Sequence, residues 1–196
     1  MVKIQKEILY NITRDPNTSY TISHLAKQIK SSRVSIWKNI KTLVKMNLII
    51  ITYIGEGKSK TQIIKPNWEN ILLERLLLYY TTLDASEKEK WQYQFKDLEN
   101  KCLYLILFGS MLINEKYALD IDILIISNKK NINKIDKQIL ELQKTSEKEI
   151  HATIMTPNEI KDVIKQKNNP IIDAIQKGII LYGQDIFISL LKEAVS

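Results

Sequence analysis

Two aspartates one residue apart, Asp120 and Asp122 in "ALDIDILII", stand at the mouth of an otherwise apolar run. Alternate side chains on a strand share a face, so both carboxylates project together at its start. Bare carboxylates a few ångströms apart repel strongly when partly buried, and a divalent cation removes that conflict. Hard oxygen donors suit Mg2+, which takes one or two protein carboxylates and leaves its other positions to water and phosphate. A second apolar run, "CLYLILF", ends in Gly109-Ser110, with nine residues between Ser110 and Asp120. Gly109 lets the backbone approach a ligand without a Cβ in the way. Ser110 offers a hydroxyl and an N–H where a helix is expected to begin and backbone amides face anions. Phosphate on one side and metal on the other would together make a clamp for a triphosphate.

A third strand, "KEIHATIM", puts Glu149, His151 and Thr153 on one face. His151 can bind a metal or act as a base, and equally can be a hydrogen-bonded sheet residue. Glu149 is either a further acid of the site or a solvated strand end.

A hydrophobic strand, Gly-Ser, about ten residues and Asp-x-Asp entering a second strand resemble the nucleotidyltransferase superfamily in its small "minimal" form. The resemblance runs through "EIHATIMTPNEIKDVI" and "NPIIDAIQKGIILYG" and covers about residues 101–194. It implies a mixed-sheet α/β domain in which Mg2+ and a nucleoside triphosphate, with ATP the expected donor, bind and the α-phosphorus is attacked with release of pyrophosphate. Gly109 and Ser110 would then hold phosphates, Asp120 and Asp122 would ligate the metal, and His151 would join them as a catalytic candidate. Where many relatives carry Arg and Gly after the Gly-Ser and Ser before the first Asp, this chain has Ile113, Asn114 and Leu119. The family's third carboxylate, on a neighbouring strand, has no unmistakable counterpart. Minimal members often act as antitoxins that adenylylate a HEPN-type toxin, so such a protein is an implied partner. A domain that has lost turnover would instead sense nucleotide.

The rest of the chain must position and regulate this centre. At 196 residues it has room for one large or two small domains, and 44% hydrophobic content is ordinary for a folded protein. Cys102 is its only cysteine, which leaves no intrachain disulfide or cysteine-based zinc cluster. No apolar run approaches a membrane span and "MVKIQKEILYNITRDP" lacks a signal-peptide core, so the expected location is the cytoplasm. Charge is uneven. Residues 1–67 hold 10 Lys and 2 Arg against Glu7, Asp15 and Glu56, while the remainder is close to neutral. Only the first third is expected to meet a polyanion.

In that third, "TISHLAKQI" places Ile22, Leu25, Ala26 and Ile29 on one helical face, with Thr21 or Ser23 to cap it. After the polar turn "KSS", "RVSIWKNIKTLVKM" spaces Ile36, Ile40, Leu43 and Val44 as a second amphipathic helix. Asn47 suits a left-handed helix end, and "LIIITYIGEGKSKTQIIKP" reads as two strands around a basic turn. The order resembles the winged helix-turn-helix family over about residues 2–66. In that family the second helix of the pair enters the major groove of double-stranded DNA. Ser31, Ser32, Arg33, Ser35, Lys38 and Lys41 would meet DNA there, Arg33 as the base reader, with Lys58 and Lys60 of the wing on phosphates. Trp37 is expected to flank the core.

Between the two lies "NWENILLERLLLYYTTLDASEKEKWQYQFKDLENK", helical in two pieces split near Asp84 to Ser86. Its first piece is apolar on more than one side and is expected to be buried, within the chain or in a homodimer suited to paired DNA half-sites. The expectation is an α+β protein: a winged helix-turn-helix over 1–67, a helical connector over 68–100 and a nucleotidyltransferase-like domain over 101–196.

Overall fold

A computed structural model describes residues 3–15, 17–55, 60–165 and 170–194. The chain is a mixed α+β protein with two compact units, one running to Leu77 and the other from Leu78 to Ala194.

The first unit holds helices α1 (Lys3–Arg14), α2 (Ile22–Gln28) and α3 (Arg33–Lys45), then the antiparallel strands β1 (Ile49–Ile54) and β2 (Thr61–Pro66). Of the two capping candidates, Thr21 caps α2, its Oγ1 accepting the His24 N–H at 3.1 Å. Ser32 caps α3 by accepting the Ser35 N–H at 3.1 Å. Lys30, at φ +54°, turns the chain after α2, and the Ser31 N–H donates back to the Ala26 carbonyl at 3.0 Å. Asn47, at φ +56°, repeats this after α3, with the Leu48 N–H on the Leu43 carbonyl at 3.0 Å. Such left-handed closures satisfy helix-end carbonyls and turn the chain sharply.

Ile8, Leu9, Leu25, Ile36, Ile40 and Leu43 are fully buried. Val44, expected with them, is 40% exposed. Eight residues advance a helix by two turns and about 80°, so a residue eight past Ile36 falls on the flank of the stripe.

Helix α4 (Ile71–Ser86) carries the boundary between the units, which falls inside the 68–100 stretch that the sequence sets apart as a connector. Its buried residues, Leu73, Leu77, Tyr80, Thr81 and Ala85, form one stripe, whereas Ile71 and Tyr79 are 59% and 60% exposed. Among the described residues the burial of this helix is confined to that stripe, and the helix carries more apolar side chains than one face can cover. The chain breaks after Ser86, as its sequence suggests, and resumes in α5 (Glu89–Gln94).

The second unit is built on a four-stranded sheet of order β5-β4-β3-β6, from β3 (Tyr104–Phe108), β4 (Asp120–Ile126), β5 (Glu149–Met155) and β6 (Ile179–Tyr182). β3 runs antiparallel to β4 and β6, and β4 runs parallel to β5. The parallel pair needs a crossover, supplied by α7 (Ile132–Thr145) after the short α6 (Ser110–Ile113) earlier in the chain. α8 (Pro157–Lys165), α9 (Pro170–Lys177) and α10 (Gln184–Glu193) complete the unit.

Alternation sorts the strands into two faces. Leu105, Leu107, Ile121, Ile123 and Ile125 join a core with Trp91, Phe95, Leu98 and Ile135. On the other face Tyr104 meets Phe187 of α10 edge-on at 5.6 Å, and Ile106 lies beneath α9. Both faces being covered explains why β3 and β4 read as continuous apolar runs. No helix among the described residues is long and apolar enough to cross a membrane.

Candidate metal centre and basic helix

Residues paired directly across a sheet share a face. β4 pairs Asp122 with Phe108 on one side and with His151 on the other, and Asp120 with Glu149. The four polar side chains therefore lie on the α9–α10 face of the sheet, at the starts of β4 and β5. Lys148 ties those starts together by donating its ammonium to the Ala118 carbonyl.

His151 Nδ1 lies 3.4 Å from Asp120 Oδ2 and 3.7 Å from Asp122 Oδ1, and its Nε2 is 3.4 Å from Glu149 Oε1. Asp120, Asp122 and His151 each offer one ligand atom, all within 4.8 Å of one another. Donors in that range can close on one divalent ion after small side-chain adjustments. Ser110 Oγ donates to Asp120 Oδ1 at 3.4 Å, which brings the Gly-Ser turn to the acids. Gly109 has φ +78°, and a Cβ built there would come within 2.1 Å of Asp122 Oδ2. The turn and the second acid are in van der Waals contact.

Asp122 carries the electrostatic strain of the arrangement. Burial, then the charge of Asp120, pushes its carboxyl above the usual range, and His151 pulls it partway back. A cation between the carboxylates would relieve that opposition. The donor set of two carboxylates and an imidazole fits a divalent metal.

The other predicted residues lie on the first unit. Arg33, Lys38 and Lys41 are exposed on α3, with Lys41 Nζ 5.1 Å from the centre of the half-buried Trp37 ring. Ser31 and Ser35 are half-buried. The Ser32 hydroxyl is exposed but already accepts the capping bond. Lys60 is exposed just before β2, and Lys58 lies outside the described residues. Val34, absent from the sequence reading, is 78% exposed beside Arg33 and one turn before Lys38. A helical wheel signals it: an apolar residue on the polar side of an amphipathic helix.

Comparison of the chain with protein families, curated proteins and solved structures finds no match.

Proposed function

We propose that this chain is a cytoplasmic DNA-binding regulator whose second unit is a divalent-metal-dependent nucleotidyltransferase, transferring a nucleoside monophosphate, AMP by preference, to a hydroxyl. The observation that carries the reading is the convergence of Asp120 and Asp122 on the Gly109-Ser110 turn, with His151 between the acids and Glu149. A cation held there would orient the phosphates and neutralise charge developing on them. Ser110 would contact phosphate, and Gly109 would leave room for Asp122 to reach the metal.

The first unit supports the DNA half of the proposal through its element order and the Arg33, Lys38 and Lys41 face of α3, in a segment holding all of the net positive charge. In this reading it is a winged helix-turn-helix module acting as a homodimer, and a hydroxyl of a HEPN-type toxin is the acceptor that becomes adenylylated.

A second reading, a nucleotide sensor without turnover, is favoured by one feature: His151, not a carboxylate, stands opposite Asp122, and Glu149 reaches the far nitrogen of His151. Incubation with α-labelled ATP, GTP, CTP and UTP, a divalent cation and candidate acceptors separates the two. Label transfer lost in Asp120→Asn and Asp122→Asn supports the transferase. Nucleotide binding that shifts DNA affinity without pyrophosphate release supports the sensor, and binding of no nucleotide at all overturns both.

A further inference from the structure

We infer that the ion of this centre is a first-row transition dication rather than Mg2+, with His151 Nδ1 as a direct ligand; Mn2+ serves as its paramagnetic probe. The inference deepens the transferase reading and rests on it for the presence of an ion.

Three observations on independent atoms carry it. The parallel register sets His151 directly beside Asp122, so its Cα and the face on which its side chain projects are fixed by backbone pairing. Its Nδ1 stands 3.4 and 3.7 Å from the two carboxylates. Adjacent donors around an ion with bonds of about 2.1 Å sit roughly 3 Å apart, so the two imidazole–carboxylate pairs need to close by about 0.4 and 0.7 Å, and the two acids, which lie with the imidazole inside a 4.8 Å cluster, close on the ion by side-chain rotation. The opposite ring nitrogen, Nε2, faces Glu149 Oε1 at 3.4 Å. A metal-bound histidine typically donates its other N–H to a carboxylate, which fixes the tautomer and raises the basicity of the ligating nitrogen. With an ion bound, the same arrangement would put the proton on Nε2, facing Glu149, and the Nδ1 lone pair on the metal.

Donor chemistry then selects the ion. Mg2+ prefers oxygen in a near-ideal octahedron and dehydrates reluctantly. Imidazole nitrogen favours later, softer dications, and two carboxylates with one imidazole leave positions open for phosphate oxygens. Glu149, which the sequence offers as a further acid of the site, becomes the positioning residue of the histidine.

The competing account is that an imidazolium merely neutralises the two acids. Full-length protein titrated calorimetrically with Mn2+ alone and Mg2+ alone, together with pulsed EPR of the Mn2+ form, decides between them. Wild type is expected to bind Mn2+ at least roughly tenfold more tightly than Mg2+ and to show 14N coupling from imidazole. His151→Ala should lose the 14N signal and most of the selectivity. His151→Asp, which supplies a third oxygen, should regain Mg2+ binding. Glu149→Gln should weaken Mn2+ by roughly tenfold while keeping the 14N signal. Mn2+ bound without 14N coupling, or with selectivity unchanged in His151→Ala, overturns the inference and leaves the transferase reading standing on its carboxylates. No ion bound by wild type or by His151→Asp overturns both.

Discussion

The carboxylate of Asp122 fills the space that a side chain at position 109 would need: a Cβ on Gly109 would lie 2.1 Å from Oδ2 and 3.0 Å from Cγ. Two residues thirteen positions apart are thereby made interdependent. The antiparallel pairing of Phe108 with Asp122 brings them together, and the positive φ of Gly109 turns the chain away from the strand at that point.

Gly109→Ala is expected to have two separable effects. The backbone strain of alanine at φ +78° and ψ −154°, a region essentially reserved for glycine, should cost about 1–3 kcal/mol, read from urea denaturation. Independently, the new methyl must push the Asp122 carboxylate aside, since a side-chain tip yields more readily than backbone. Divalent-ion affinity should fall by roughly tenfold or more in calorimetry at a temperature where the variant is still folded. A stability loss with unchanged ion binding would separate the glycine from the metal centre.

The raised pKa of Asp122 sets a sign for pH dependence. Burial and Asp120 make the folded chain hold that proton to a higher pH than the unfolded chain does. The folded state therefore binds more protons across the window between the two values, and metal-free stability should fall as pH rises through it. Asp122→Asn removes the penalty and is expected to raise the metal-free Tm at neutral pH, while abolishing the rise that a divalent ion gives to wild type. Because proton and metal compete for one carboxylate, ion affinity should weaken as pH falls through the same window. Thermal denaturation from pH 4 to 8, with and without Mn2+, measures all three effects.

What could be read in advance divides by range. The α2 and α3 helices were legible because Leu25, Ala26, Ile36, Ile40 and Leu43 follow a 3.6-residue period that any local window contains. Asp120 and Asp122 sharing a face follows from the two-residue period of one strand. The contact of His151 with both acids was not legible: it depends on the pairing of β4 with β5, which a crossover of more than twenty residues sets and no local pattern records. The exposed side of α4 was also missed, because composition reveals how oily a helix is but not how much neighbouring surface exists to cover it.

DNA binding should separate into two terms at α3. Lys41→Ala and Lys38→Ala are expected to weaken binding to all duplexes alike, and each should reduce the slope of log affinity against log salt by about 0.9 if the lysine neutralises a phosphate. Arg33→Ala should cost about 1–3 kcal/mol on a selected site and little on random duplex. Val34→Ser tests the apolar neighbour that the sequence reading omitted, with relaxed preference at one thymine as its expected signature. Fluorescence anisotropy at several salt concentrations reads each outcome. Equal losses on selected and random DNA for Arg33→Ala would remove it as a base reader.

The last prediction concerns the turn that sets α3 against α2. Lys30 holds a left-handed backbone at φ +54° where glycine is the usual choice. Relief of the Cβ penalty, about 1–2 kcal/mol, exceeds the extra unfolded-state freedom that glycine brings, about 0.4–1 kcal/mol, so Lys30→Gly should stabilise the protein by about 0.5–1 kcal/mol. Asn47 occupies the same conformation at φ +56°, yet its Oδ1 accepts from Asn67 Nδ2 at 3.1 Å, and Asn67 also donates to the Asn47 carbonyl at 3.0 Å. Asn47→Gly removes the first of these bonds and relieves less backbone strain, because asparagine tolerates the left-handed region better than lysine, so its gain should be smaller than that of Lys30→Gly. Chemical denaturation of the two variants side by side measures the difference. An Asn47→Gly gain equal to that of Lys30→Gly would show that the Asn67 bond contributes nothing to holding the end of α3.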